Sequence, residues 1–256
     1  MQTSIEVLFT PADFAALAER DLGQTWCVVF DVLRATSSMV TALAGGAEAV
    51  IPLADIPEAL AFSSAHPQAL LAGERDGLRI SGRLTGGVEF DLGNSPREFT
   101  PERIRGRTIV MTTTNGTRAL RACARAQRVL AASFLNLSAT AREVRSHRPQ
   151  NLLLVCSGTL EQAAYEDALG AGALCDLVWA EYAGGVVMDS ALMALKLYRL
   201  ESAQLEAALA SSRNGRRLCA QAALQPDVPF CAQRDRFPLV ATLGPDGAIR
   251  AGRWGG

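Results

Sequence analysis

The sequence predicts an α/β fold, a layered sheet with covering helices assembled from recurrent β-loop-α units. Three apolar, β-branched runs have strand length and composition: TWCVVFDV at 25–32, RTIVMTT at 107–113 and NLLLVCS at 151–157. Each ends in polar residues and continues into an alanine-rich stretch with helical periodicity. With 256 residues, 49% of them hydrophobic, the chain can bury a full core, as a single domain over 1–256 or as two closely joined lobes.

In the first unit, VVFDVLRATSSMVTALAGGAEAVIPL leads from strand through helix to another strand at Ala49 to Leu53. In the second, IVMTTTNGTRALRACARAQRVLAASF repeats that plan and sets Asn115-Gly116-Thr117 where the first has Arg34-Ala35-Thr36. The third unit has Cys156-Ser157-Gly158-Thr159 at the same junction, so the repetition reads as an internal duplication. Residues 73–98, GERDGLRISGRLTGGVEFDLGNSPRE, are too rich in Gly and charge for a helix. Connections longer than about 12–15 residues are usually functional or disordered. Ile80, Val88, Phe90 and Leu92 favour order, because they supply apolar side chains for short strands. After Ser211 the chain reads as irregular, through RNGRRL, QPDVPF and QRDRFPLV to a Gly-rich tail expected to fray. No linker divides it.

Charge and composition exclude several functions. Basic and acidic residues number 25 and 26, so no global field draws the chain to nucleic acid or to an anionic membrane, and a small molecule is the expected partner. The start MQTSIEVLFTPADF lacks the basic and apolar regions of a secretory signal. No window approaches the roughly 18 apolar residues of a membrane span. A cytoplasmic location is expected. The six cysteines are scattered without C-x-x-C and read as small buried hydrophobes. Lys196, the only lysine, lies in an apolar helical pattern, and no Walker A loop is present. His66 in a loop and His147 at a helix end have no metal-ligand spacing.

Chemistry is expected where ligands gather in open α/β sheets, at the carboxyl ends of strands. Asp31, Arg34, Thr36 and Ser37 stand there. An Asp in that position also serves as a helix cap. An Arg beside hydroxyls and a helix N-terminus, however, makes an oxyanion pocket. Thr112 to Thr117, TTTNGT, offers hydroxyls, an amide and a Gly for a turn, and two such loops from parallel strands would converge on one anion. Glu74, Arg75, Asp76, Glu89 and Asp91 in the Gly-rich segment, with Glu166 and Asp167 after the third strand, supply the oxygen ligands that magnesium prefers. No C-x5-R, D-x-D-x-[TV] or R-H-G appears, so the common cysteine, aspartyl and histidine phosphatase mechanisms lack their residues.

DVLRATS at 31–37, GERDG at 73–77, FDLGNSP at 90–96, TTTNGT at 112–117, ED with a small-residue run at 166–172, and SRNG at 212–215 occur in that order. In this the chain resembles the 2-phosphosulfolactate phosphatase family over nearly its whole length. The resemblance implies a distinct α/β fold, a magnesium requirement, and hydrolysis of 2-phospho-3-sulfolactate to 3-sulfolactate and phosphate in coenzyme M biosynthesis. Two positions depart from the family pattern: CSGT ends the third strand where Ala-Gly is expected, and Asn214 replaces an expected His.

On that resemblance Asp31, Glu74, Asp91 and Asp167 include the magnesium ligands and a base that orients water, with the division of roles and a covalent phosphoenzyme left open. Arg34, with Thr36, Ser37, Asn115, Gly116 and Thr117, is expected to hold the phosphate. Arg75, Asn94 with Ser95, and Arg213 are the candidates for the sulfonate and carboxylate. The alternatives are a phosphatase of another small phosphorylated hydroxy acid and a non-catalytic binder of an anionic metabolite. A homo-oligomer is also left open.

Overall fold

The run at 25–32 forms a strand buried along its whole length, Thr25–Phe30 (β2), because apolar layers cover both faces of the sheet there. Its alternate side chains divide between two cores. Trp26, Val28 and Phe30 pack in one, and Cys27 and Val29 in the other. The first core is closed by helices Leu137–His147, Tyr165–Tyr182 and Asp189–Glu201, the second by Ala35–Ala44 and Gly116–Ala122. A smaller cluster of Leu71, Ile80, Phe90 and Val110 lies beside helix Ile56–Ala65. The computed structural model describes residues 2–252; the end of the Gly-rich tail lies outside them.

The other strands are Ser4–Leu8 (β1), Ala49–Pro52 (β3), Leu70–Arg75 (β4), Leu78–Arg79 (β5), Thr108–Thr112 (β6), Arg128–Ala132 (β7), Asn151–Cys156 (β8), Val186–Val187 (β9), Val240–Leu243 (β10) and Ile249–Gly252 (β11). With β2 they form, among the described residues, one 11-stranded sheet in the order β5-β4-β6-β3-β11-β10-β7-β2-β8-β1-β9. The two predicted β-loop-α-β units interlock: β2 pairs with β7 of the second unit, and β3 with β6, all parallel. Between the halves the hairpin β10–β11 pairs antiparallel on both sides. This order is what a two-fold relation between the units, centred on that hairpin, would produce.

The hairpin corrects two expectations. The segment after Ser211 is not irregular: Arg213–Cys219 and Asp227–Cys231 are helices, the first capped by Ser212 Oγ accepting from the Gly215 amide at 2.9 Å. The antiparallel insertion also reverses strand sense, so β2 and β6 run in opposite directions. The loops that follow them still meet, because Gly116 packs against Asp31 and Ala35.

The segment 73–98 is ordered as expected, with Ile80, Phe90 and Leu92 buried and Val88 exposed. It contributes β5, a short helix Gly82–Thr85 and a parallel bridge from Leu92 to Ala72. All six cysteines are free, five of them buried. Among the described residues no helix is long and apolar enough to cross a membrane.

Candidate active site

The loop after β2 and the loop after β6 meet at Gly116. A Cβ on that residue would stand 2.7 Å from both the Cβ of Ala35 and Oδ2 of Asp31. Asp31 therefore occupies space that only glycine leaves. Its Oδ1 accepts from the amide of Ala35, the first residue of helix Ala35–Ala44, at 3.0 Å. One oxygen thus caps the helix while the residue lines an open cleft, so the capping and site roles coexist. Gly116→Ala is expected to cost about 1–3 kcal/mol in thermal unfolding and to displace Asp31. Phosphate release should fall further than the lost stability explains.

Glu74, at the end of β4, lines the same cleft. Its Oε1 accepts from the amide and hydroxyl of Thr114 at 3.0 and 2.9 Å, and its Oε2 from the Gly77 amide at 2.7 Å. Arg34 is buried, donating to Asp227 Oδ2 at 2.7 Å and to the Gly77 carbonyl at 2.8 Å. Asn94, Asn115, Thr159, Asn214 and Arg217 also line the cleft.

Other predicted residues stand behind the cleft. Both oxygens of Asp167 are engaged by backbone, Oδ1 by the Val32 amide at 2.8 Å and Oδ2 by the Gly158 amide at 3.2 Å, so it ties the loops after β2 and β8 together. It is seated by the small-residue run: a Cβ on Gly170 would meet the Phe30 ring at 2.8 Å. Adjacent Glu166 accepts from Asn214 Nδ2 at 2.6 Å through Oε1, while its buried Oε2 has no hydrogen-bond partner. Thr36 Oγ1 and Ser37 Oγ donate to the carbonyls of Asp31 and Val32, and Thr117 Oγ1 to that of Thr113. These hydroxyls close their own loops and do not line the cleft. Arg75 folds back on Thr112 and the Glu74 carbonyl, Ser95 donates to Asp227 at 2.6 Å, and Arg213 reaches Gln162 at 3.4 Å. Asp91 lies apart from the cleft, exposed and accepting from the Leu71 amide at 2.8 Å.

Burial pushes the Asp31 carboxyl up to about 7; the Ala35 amide opposes the rise, the charges of Glu74 and Glu166 add to it, and Arg34 opposes it again. Burial raises Glu166 as well, and raises Asp167 strongly with the help of Asp31 and Glu166. Carboxylates are thus crowded together without equivalent positive charge. Asn94 Oδ1, at the cleft, is a second buried oxygen with no hydrogen-bond partner. Such oxygens cost about 1–3 kcal/mol each when left unmet.

This donor set of hard oxygens fits magnesium, which takes one or two carboxylates and completes its shell with waters and phosphate. The four acids named from the sequence do not form one cluster, and among the described residues no three His, Cys, Asp or Glu side chains are grouped to hold an ion by themselves. All four accept from backbone amides, but Asp31 and Glu74 line the cleft and Asp91 and Asp167 do not.

The model of the 2-phosphosulpholactate phosphatase family matches residues 14–245. The chain belongs to the 2-phosphosulfolactate phosphatase family. It is similar to a probable 2-phosphosulfolactate phosphatase of Synechococcus sp. (strain RCC307), 40% identical over 230 residues that cover 87% of this chain and 91% of that one. A second, from Caldanaerobacter subterraneus subsp. tengcongensis, is 36% identical over 245 residues, 95% of this chain and 97% of its own. A third, from Pseudothermotoga lettingae, is 36% identical over 247 residues, 96% and 98%. Membership makes the chain an enzyme of the phosphatase class.

Two features of this 2-phosphosulfolactate phosphatase family member escape a reading of its sequence. Asp227, fully buried, accepts from Arg34, Ser95 and Arg97, and so joins the loop after β2 to residues 95–97. The signal is an acid followed by the apolar residues Val228, Phe230 and Cys231. Asn214, noted as a departure from the family pattern, holds Thr159 Oγ1 at 2.7 Å together with Glu166. Its neighbour on the next turn, Arg217, lines the cleft.

Proposed function

We propose that this enzyme hydrolyses 2-phospho-3-sulfolactate to 3-sulfolactate and phosphate with magnesium as cofactor, a step of coenzyme M biosynthesis. The observation that carries the reading is one cleft lined by Asp31, Glu74 and Arg34, in which burial and the charges of Glu74 and Glu166 crowd Asp31. Asp31 and Glu74 would hold the magnesium, with the unpartnered Asn94 oxygen beside them. Magnesium supplies Lewis-acid polarisation of the phosphoryl oxygens and offsets charge on the leaving alkoxide.

The protein's own groups do the positioning. Arg34 has five N–H donors, of which Asp227 and Gly77 take two, and the rest can meet phosphoryl oxygens. Asp31, whose Oδ1 is taken by the Ala35 amide, would orient the attacking water through Oδ2. Water oxygen bonds to phosphorus and the ester P–O bond breaks; one proton of that water passes to the departing oxygen, which becomes the hydroxyl of sulfolactate, and the other stays on the phosphate. Half-buried and buried free thiols suit a reducing cytoplasm.

Phosphate release from a panel of phosphorylated hydroxy acids, with and without magnesium, tests this. Release from phosphosulfolactate should disappear after chelation by EDTA and return on adding magnesium. Undiminished turnover by exhaustively demetallated protein would overturn the metal assignment. Preference for another phosphorylated acid would overturn the substrate.

A further inference from the structure

The proposed substrate carries a sulfonate besides its phosphate and carboxylate, and a role for any side chain in binding that sulfonate rests on this reading of the substrate. Among the described residues two arginines line the cleft. Arg34 is 3% exposed and held by an ion pair to Asp227. Arg217 differs in every respect. Its side chain is 43% exposed, and its ion pair is a 3.9 Å approach to Asp76, itself fully exposed. That distance is too long for a hydrogen bond, and exposed pairs of this kind hold a side chain weakly.

Arg217 is nevertheless well placed. Its guanidinium lies over Gly77, where a Cβ would stand 3.3 Å from Nη2. Gly77 is the residue whose carbonyl accepts from Arg34 and whose amide donates to Glu74. One glycine therefore has the inner arginine and the metal-facing acid on its backbone, and the outer arginine against its Cα. Gln221, just past the end of the helix that carries Arg217, lines the same cleft. The inner end of the cleft is acidic, at Asp31 and Glu74, and would take the phosphate together with its cation. An anionic group at the other end of the substrate would meet Arg217. Arg75 and Arg213, the candidates named from sequence, are turned to Thr112 and Gln162.

We propose that Arg217 is a specificity-determining residue, its guanidinium fork binding the sulfonate oxygens at the outer end of the cleft. A planar fork matches a tetrahedral oxyanion with two parallel N–H donors. The test compares kcat/KM of wild type and Arg217→Gln on 2-phospho-3-sulfolactate and on 2-phospholactate, which lacks the sulfonate. The half-exposed position lets the variant fold, which its melting temperature verifies. Arg217→Gln should lose roughly 10- to 100-fold on the sulfonated ester, chiefly through KM. On phospholactate the change should stay under about threefold. Equal losses on both substrates, or a wild-type preference for the sulfonate that survives the substitution, would overturn the role of Arg217 alone. A wild-type enzyme with no preference for the sulfonated ester would overturn the substrate reading and this assignment with it.

Discussion

Asp31→Asn should all but abolish phosphate release while raising the melting temperature of the metal-free protein at pH 8. The two effects have one origin. Asn retains a carbonyl oxygen for the Ala35 amide, so the helix start is preserved. What disappears is a buried negative charge next to Glu74 and Glu166. The folded-state value near 7 lies above the ordinary aspartate value of 3.8, so between those limits the folded protein binds a proton that the unfolded chain has released. Unfolding free energy contributed by this group is therefore full below about pH 4 and is lost as pH rises through 7. Glu166 and Asp167, also raised, slope the same way. Removing the Asp31 charge should flatten that slope and return on the order of 1–3 kcal/mol at pH 8. Turnover should fall roughly 10²- to 10³-fold, the usual loss when a group that stabilises or orients reacting atoms is removed. Melting curves from pH 5 to 8 beside kcat/KM at saturating magnesium make the measurement. An Asn variant that melts no higher than wild type and still turns over normally would reduce Asp31 to its cap.

The sheet's centre was legible because β2, β6 and β8 are buried on both faces and so appear as uninterrupted apolar runs. Asp31 was legible for the opposite reason, as a charge ending such a run. The hairpin β10–β11 was not. Its residues VATL and IRAG are short and ordinary, and its place between β7 and β3 depends on pairing partners more than 100 positions away along the chain. Local sequence carries no such information. The hydroxyl-rich turns show a second limit. Thr36, Ser37 and Thr117 sit beside the site, but Ser and Thr satisfy nearby backbone as readily as a ligand, and here the carbonyls of Asp31, Val32 and Thr113 take them. Adjacent Glu166 and Asp167 show a third. Successive helix positions point about 100° apart; one carboxylate ties two loops and the other meets Asn214, a difference that spacing alone does not express.

The second large effect is expected at the buried pair of Arg34 and Asp227, 2.7 Å apart with 3% and 0% of their side chains exposed. The two partners are not equivalent. Asp227 also accepts from Ser95 at 2.6 Å and from Arg97 at 2.8 Å, both through Oδ1, so it retains positive charge and hydrogen bonds when Arg34 is replaced. Arg34 would keep only the neutral Gly77 carbonyl if Asp227 lost its charge. Asp227→Asn should therefore destabilise by about 3–5 kcal/mol, the penalty of an uncompensated buried ion, and Arg34→Gln by clearly less. In the double variant both charges are gone, so it should melt above Asp227→Asn despite carrying one more substitution. Activity should not follow stability. Removing the guanidinium takes away charge-assisted donors to the transferring phosphoryl group, a loss on the order of 2–4 kcal/mol in the transition state. Arg34→Gln and the double variant should thus remain tens-fold to a thousand-fold slower than wild type, even at temperatures where both are folded. Thermal unfolding and kcat/KM for the three variants decide the matter: recovery of turnover together with stability in the double variant would show that Arg34 only holds the loop in place.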